Sequence, residues 1–210
     1  MIKAFVVISR YQESVEWIKS LTDNYVIYNK GESLPDYKQV LCENVGANQY
    51  DIARFIYDNY DCLPDLMAFL QGDPFDHCLP DRFYDLISRD SFTPIFGDRN
   101  YPSGEYSEPN TSWYINEPWQ SRKPACKFAS FDGYCQYIFS NYTREETLYF
   151  PPGSQFLVEK ERCLFYSRAF WKRLIDIIPT QPGINGGREA HIIERSLQLI
   201  FENKYSEVKQ

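Results

Sequence analysis

Residues 66–77 read Leu-Met-Ala-Phe-Leu-Gln-Gly-Asp-Pro-Phe-Asp-His, an apolar run that empties into two carboxylates and an imidazole. Gly72 and Pro74 favour a tight turn there, which sets Asp73, Asp76 and His77 outward at the carboxyl end of a strand. Magnesium and manganese are commonly held by one or two carboxylates together with the phosphate oxygens of a substrate, so this turn is a candidate metal site. The same residues admit a plainer role, in which Asp73 and Asp76 cap a helix beginning near Pro80 and His77 lies on the surface.

The elements that must position this turn alternate at short spacing. Residues 4–9 are a β-branched run ending in the polar turn Arg10, Tyr11 and Gln12, and Val15, Ile18 and Leu21 then share one helical face. Residues 25–28 predict a second strand, closed by Asn29, Lys30 and Gly31. Asn44, Val45 and Gly46 precede a helix carrying Ile52, Phe55 and Ile56, and residues 66–70 predict a third, fully buried strand. Strand and helix in alternation imply a parallel sheet covered on both faces, with ligands outside the carboxyl ends of the strands.

Residues 90–124 are rich in Pro, Gly, Ser, Asn and Tyr and hold no sustained period. A stretch this long predicts a binding loop or lid, and Tyr101, Tyr106, Trp113, Tyr114 and Trp119 predict that it is ordered. Beyond it the pattern predicts a helix over 131–140, a strand over 155–159, a helix over 167–178, a glycine-rich break over 182–187 and a last helix over 188–203. One domain of 210 residues is expected, its first half (1–89) binding nucleotide and its second (90–210) facing an acceptor with the long aromatic loop.

Composition narrows the partners. The net charge is -7 and the Lys and Arg residues are scattered, which argues against nucleic acid as the main partner. No run approaches the roughly 20 apolar residues of a membrane span, and the six cysteines (42, 62, 78, 126, 135, 163) include no Cys-x-x-Cys pair. Unpaired thiols and a cytoplasmic location are therefore expected.

The segments VVISRYQESVEWI, VIYNKGE, ENVGANQYDIARFIYDNYD, LPDLMAFLQGDPFDH and FLVEKERCLFY resemble a family of eukaryotic and viral proteins related to GT-A glycosyltransferases, including chlorella virus domains that put glycan on the capsid. The resemblance covers residues 5–77 well and 155–201 more loosely. It implies an α/β fold, a single GT-A-like αβα sandwich whose central mixed, mostly parallel sheet is flanked by helices. It also implies a UDP-sugar donor, a glycan or glycoprotein acceptor, Mn2+ or Mg2+ as cofactor, and a place in host cytoplasm. Gln71, Gly72 and Asp73 fall where that family carries Asp-x-Asp, so Gln71 replaces the first carboxylate and Asp73 would take the metal. Asp76 or His191 would supply a further ligand.

Ser9, Arg10 and Tyr11 fall where such proteins receive the nucleobase, ribose and phosphate, and Asn44 and Gly46 would present backbone donors ahead of a helix. A simple surface ion pair for Arg10 and a simple helix cap for Asn44 compete with these roles. The acceptor hydroxyl needs a base, for which Glu159 and Glu189 are the candidates. Glu159 could instead pair with Lys160 or Arg162, and Glu189 could simply favour the first turn of its helix. The missing first carboxylate also admits a catalytically silent module that binds nucleotide or glycan.

Overall fold

The structure is a computed structural model that describes residues 2–111, 125–180 and 187–209. In chain order the first part holds β1 (Phe5–Arg10), α1 (Ile18–Leu21), β2 (Tyr25–Asn29), β3 (Gln39–Leu41), α2 (Asn48–Asp58), β4 (Leu66–Gln71) and α3 (Pro80–Ile87). The second part holds β5 (Thr93–Pro94), β6 (Ser107–Pro109), α4 (Phe131–Ile138), β7 (Thr147–Tyr149), β8 (Phe156–Glu159), α5 (Lys160–Leu164), α6 (Arg168–Ile177) and α7 (Glu189–Phe201).

Six strands make one sheet in the order β3-β2-β1-β4-β8-β5. β1 pairs in parallel with β2 and β4, and β2 with β3, whereas β8 runs antiparallel to both β4 and β5. The sheet is therefore mixed and mostly parallel, with β8 alone reversed. Alternate residues of each strand serve opposite cores, as the period of two requires. Val7, Met67, Phe69, Phe156 and Val158 pack with α2, α4, α6 and α7 on one face. Val6, Ile8, Ala68, Leu70 and Leu157 pack with α1 and α3 on the other. Helices thus cover both faces and strands from both halves of the chain complete one sheet, a Rossmann-like α/β sandwich.

Several expectations needed correction. β3 is an edge strand whose Val40 and Leu41 are 42% and 61% exposed, so no buried apolar pattern marks it. α1 is a single turn, with Val15 buried ahead of it. Residues 90–124 are not devoid of regular structure: β5 closes the sheet and β6 forms a two-stranded ribbon with β7. Strands of two or three residues are fixed by their partners and leave no period to read. The aromatic residues of this stretch do pack, with Tyr101 on Tyr106 at 5.0 Å between ring centroids and Tyr106 on Phe150 at 5.1 Å. Trp113, Tyr114, Trp119 and the break at 182–186 lie outside the described residues. The cysteines are all free thiols. Among the described residues no helix is long and apolar enough to cross a membrane.

Candidate nucleotide and metal cleft

The strand order reverses between β1 and β4, since the chain runs outward from β1 through β2 to β3 and then returns to β4 on the other side. Ligand sites of open α/β sheets lie at such a switch point, beyond the carboxyl ends of the strands. A cleft of about 460 Å3 opens there, lined by the ends of β1 (Ser9, Arg10, Tyr11), β2 (Lys30) and β4 (Gln71, Asp73) and by the start of α2 (Ala47, Asn48). Ser9 and Gln71 are register partners, which sets their side chains at the same height in the cleft floor. Asn44, Glu13, Asp76 and His77 complete the rim.

The turn that carries Asp73 and Asp76 is built as a short 3-10 helix, Pro74–Asp76. Asp73 caps it, its Oδ1 accepting the Phe75 N–H at 3.0 Å, so the capping role foreseen for Asp73 serves this turn rather than α3. Oδ2 remains for other use. Asp76, the last residue of the turn, lines the same cleft as Asp73. Asp76 is exposed and makes no hydrogen bond or ion pair with any described residue. Gln155, wholly buried, braces the turn from behind: its Oε1 accepts the Gln71 N–H at 3.3 Å and its Nε2 donates to the Pro74 carbonyl at 3.1 Å. Gly72 leaves room for Glu13, since a Cβ there would lie 2.8 Å from Glu13 Oε2 and 3.0 Å from Glu13 Cβ and would push that side chain aside.

Beneath the other wall lies a buried charge network that the sequence reading missed. Lys30 and Asp51 pair at 2.8 Å with side chains 5% and 2% exposed, and the Ser9 hydroxyl also donates to Asp51. Lys30 further donates to the Ala47 carbonyl at 3.2 Å, which ties the entry of α2 to the end of β2. Burial raises the Asp51 carboxyl above its ordinary pKa, against the pull of Lys30 and Ser9. Gly46 takes φ +65, and a Cβ there would meet Tyr50 at 2.6 Å, so this close turn accepts only glycine comfortably. Asp51 shares a helical face with Phe55, and a carboxylate on an apolar stripe was the available signal.

The loop 151–155 joins the cleft to α7. Asn48 Nδ2 donates to the Gly153 carbonyl at 2.6 Å, and Gly153 in turn donates its N–H to Glu194 Oε1 at 2.9 Å. Burial would raise the Glu194 carboxyl's pKa, but His191, Arg195 and the Gly153 N–H outweigh it and hold that carboxyl below its ordinary value.

The expected site residues divide accordingly. Ser9, Tyr11, Asn44, Gln71, Asp73 and Asp76 line the cleft, with Gly46 and Gly72 shaping its turns. Tyr11 is 44% exposed at the mouth, its ring free to stack. Arg10 lines the floor but faces inward: Nε donates to the Glu13 carbonyl at 2.8 Å and Nη1 to Asn29 Oδ1 at 2.7 Å, so it shapes the turn rather than reaching for a phosphate. His191 does not line the cleft; it stands behind the 151–155 loop, 3.8 Å from Glu194, which removes it as a metal ligand.

Glu159 is likewise misplaced. Because β8 is antiparallel, Glu159 pairs with Leu66 at the opposite end of β4, about 17 Å of strand from Gln71. It binds Arg162 at 2.9 Å instead. Glu189 is 3% exposed and accepts the Lys127 N–H at 2.8 Å, away from the cleft, so it fixes the start of α7 and is no candidate base. Among the described residues no three His, Cys, Asp or Glu side chains converge on a point that could hold a metal. A cation at Asp73 and Asp76 would therefore depend on ligand oxygens, as magnesium and manganese at phosphate sites do.

Compared with known proteins, the chain matches no family model, no curated protein and no solved structure.

Proposed function

We propose that the chain is a metal-dependent glycosyltransferase that binds a UDP-sugar in the cleft between β1 and β4 and transfers the sugar to a glycan hydroxyl. The observation that carries this reading is the meeting, at the switch point of the sheet, of two outward carboxylates, Asp73 and Asp76, with the amino end of α2. A diphosphate needs positive partners, and the helix end supplies one through its dipole, although the Gln49 and Tyr50 N–H groups are engaged by Asn48 Oδ1 and the Ala47 carbonyl. The rim itself is acidic, with Glu13, Asp73 and Asp76 on it, and Lys30 is already engaged by Asp51. A divalent cation held by the two carboxylates together with diphosphate oxygens would resolve that conflict.

In this reading Asp73 Oδ2 and Asp76 hold the cation, Tyr11 stacks on the base, and Ser9 and Gln71 offer hydrogen bonds to the ribose. A bound Mn2+ or Mg2+ supplies Lewis-acid stabilisation of the diphosphate leaving group. The acceptor proton goes to Glu13, the cleft carboxylate not engaged by the cation, since Glu159 and Glu189 lie elsewhere.

A second reading, a nucleotide- or glycan-binding module without turnover, is favoured by Gln71 in place of a carboxylate. The test is a thermal-shift titration of nucleoside diphosphates with and without Mn2+, followed by donor hydrolysis. UDP at a hundredfold excess over its Kd should stabilise the protein by about 2.7 kcal/mol, or about 6 °C for a chain of this size, only with metal. Asp73→Asn should remove that shift while keeping the apo melting temperature, because an amide oxygen still accepts the Phe75 N–H. A metal-dependent shift without donor hydrolysis favours the silent module, and phosphate release from UDP itself indicates a phosphohydrolase. No shift with any nucleotide sinks the reading.

A further inference from the structure

A second cleft lies on the far side of the 151–155 loop. It measures about 520 Å3 and is walled by Tyr106, Tyr149, Phe150, Pro151, Glu105 and Gln198. That volume lies within the range of small-molecule sites. Its outer wall is Tyr149 on β7, 58% exposed, whose ring stacks on no other ring among the described residues. Its inner wall is rigid: Tyr106 packs edge-on against Phe150, and Arg195 lies 4.7 Å over the Phe150 ring while bound to buried Glu108.

Apart from the tyrosine hydroxyls, the polar side chains at this cleft offer acceptors. Glu105 is exposed, and its carboxylate pairs with no described residue. Gln198 donates its amide to Glu202 at 2.8 Å, which leaves its amide oxygen without a partner among the described residues. A ligand suited to both must carry apolar faces for the rings and O–H or N–H donors for the oxygens. It must also carry no negative charge, given Glu105 and the net charge of -7. A neutral saccharide meets all three conditions. A proline-rich strand offers faces but lacks the donors.

Position adds a reason. Pro151 walls this cleft, while Gly153, two residues on, bonds Asn48 of the first cleft and would press a Cβ to 2.4 Å from the His77 ring. Three residues of chain, 151–153, thus connect the lining of the second cleft to Asn48 and His77 of the first. We infer that the Tyr106–Tyr149 cleft binds a neutral oligosaccharide by stacking a sugar ring on Tyr149. Resting on the proposed function, it is the acceptor subsite that presents a hydroxyl across the Pro151–Gly153 segment.

The test uses maltotetraose, cellotetraose, chitotetraose and mannotetraose in saturation-transfer NMR and titration calorimetry, with decaproline as a control. At least one saccharide should bind the full chain, and Tyr149→Ala should weaken it at least fivefold while Tyr149→Phe keeps it within twofold. Tyr149 is exposed, so both variants should retain the wild-type melting temperature and any UDP and Mn2+ shift. Saccharide binding that depends on Tyr149 in a protein that ignores nucleotides would uphold this site and overturn only the proposed reaction. Nucleotide binding with no saccharide bound, saccharide binding indifferent to Tyr149→Ala, or decaproline as the sole Tyr149-dependent ligand would overturn the inference.

Discussion

Replacing Lys30 by Met keeps the length of the side chain and removes its charge from beside Asp51. Both members of the pair are nearly inaccessible, 5% and 2% exposed, and Ser9 is the other hydrogen-bond donor to that carboxylate. Breaking a buried pair on one side costs about 3–5 kcal/mol. Asp51 can escape that cost by taking up a proton, which for a carboxyl with an ordinary pKa near 3.9 costs about 4 kcal/mol at pH 7 and about 1.5 kcal/mol at pH 5. Protonation therefore caps the loss, and the cap falls with pH. The sign follows from linkage: the folded pKa of Asp51 is already raised and rises further in the variant. The variant thus loses stability as pH climbs above the unfolded value. Urea unfolding of Lys30→Met against wild type should show a deficit of at most about 4 kcal/mol at pH 7 that shrinks to at most about 1.5 kcal/mol at pH 5. In melting temperature this is at most about 8 °C, narrowing to at most about 3 °C. Adding Asp51→Asn should recover most of the loss at pH 7. A deficit under about 1 kcal/mol, or one that is flat between pH 5 and 7, would show that Lys30 and Asp51 are solvated and that the cleft floor described above is wrong.

Two further outcomes bear on the site. Gly153→Ala imposes a left-handed φ of +84 on alanine and drives a Cβ against the His77 ring, so it should cost about 2 kcal/mol or more and weaken UDP binding by displacing Asn48, as unfolding curves and calorimetry will read. Glu159→Gln should leave metal-dependent donor hydrolysis within twofold of wild type, because its carboxylate sits at the other end of β4; a hundredfold loss would contradict the strand direction.

The sequence by itself determined the cores of β1, β2 and β4, because short apolar runs, β-branched in β1 and β2, end at polar turn residues. It also determined α2, α6 and α7, whose apolar residues recur at helical spacing, and the Asp73–Asp76 turn, where glycine and proline dictate the backbone. Tertiary structure alone decided the direction of β8. The same Phe-Leu-Val-Glu could end at either edge of the sheet, and pairing with β4 sent Glu159 away from the cleft. It decided the fate of Arg10 as well, since the Asn29 amide and the Glu32 carbonyl that draw its guanidinium inward arrive from a neighbouring strand and loop. Glu189 was sequestered by a backbone N–H 62 residues away. Local pattern records which residues prefer to be buried and how the chain turns; which charged groups meet is set by contacts distant in sequence, whose energies no local spacing encodes.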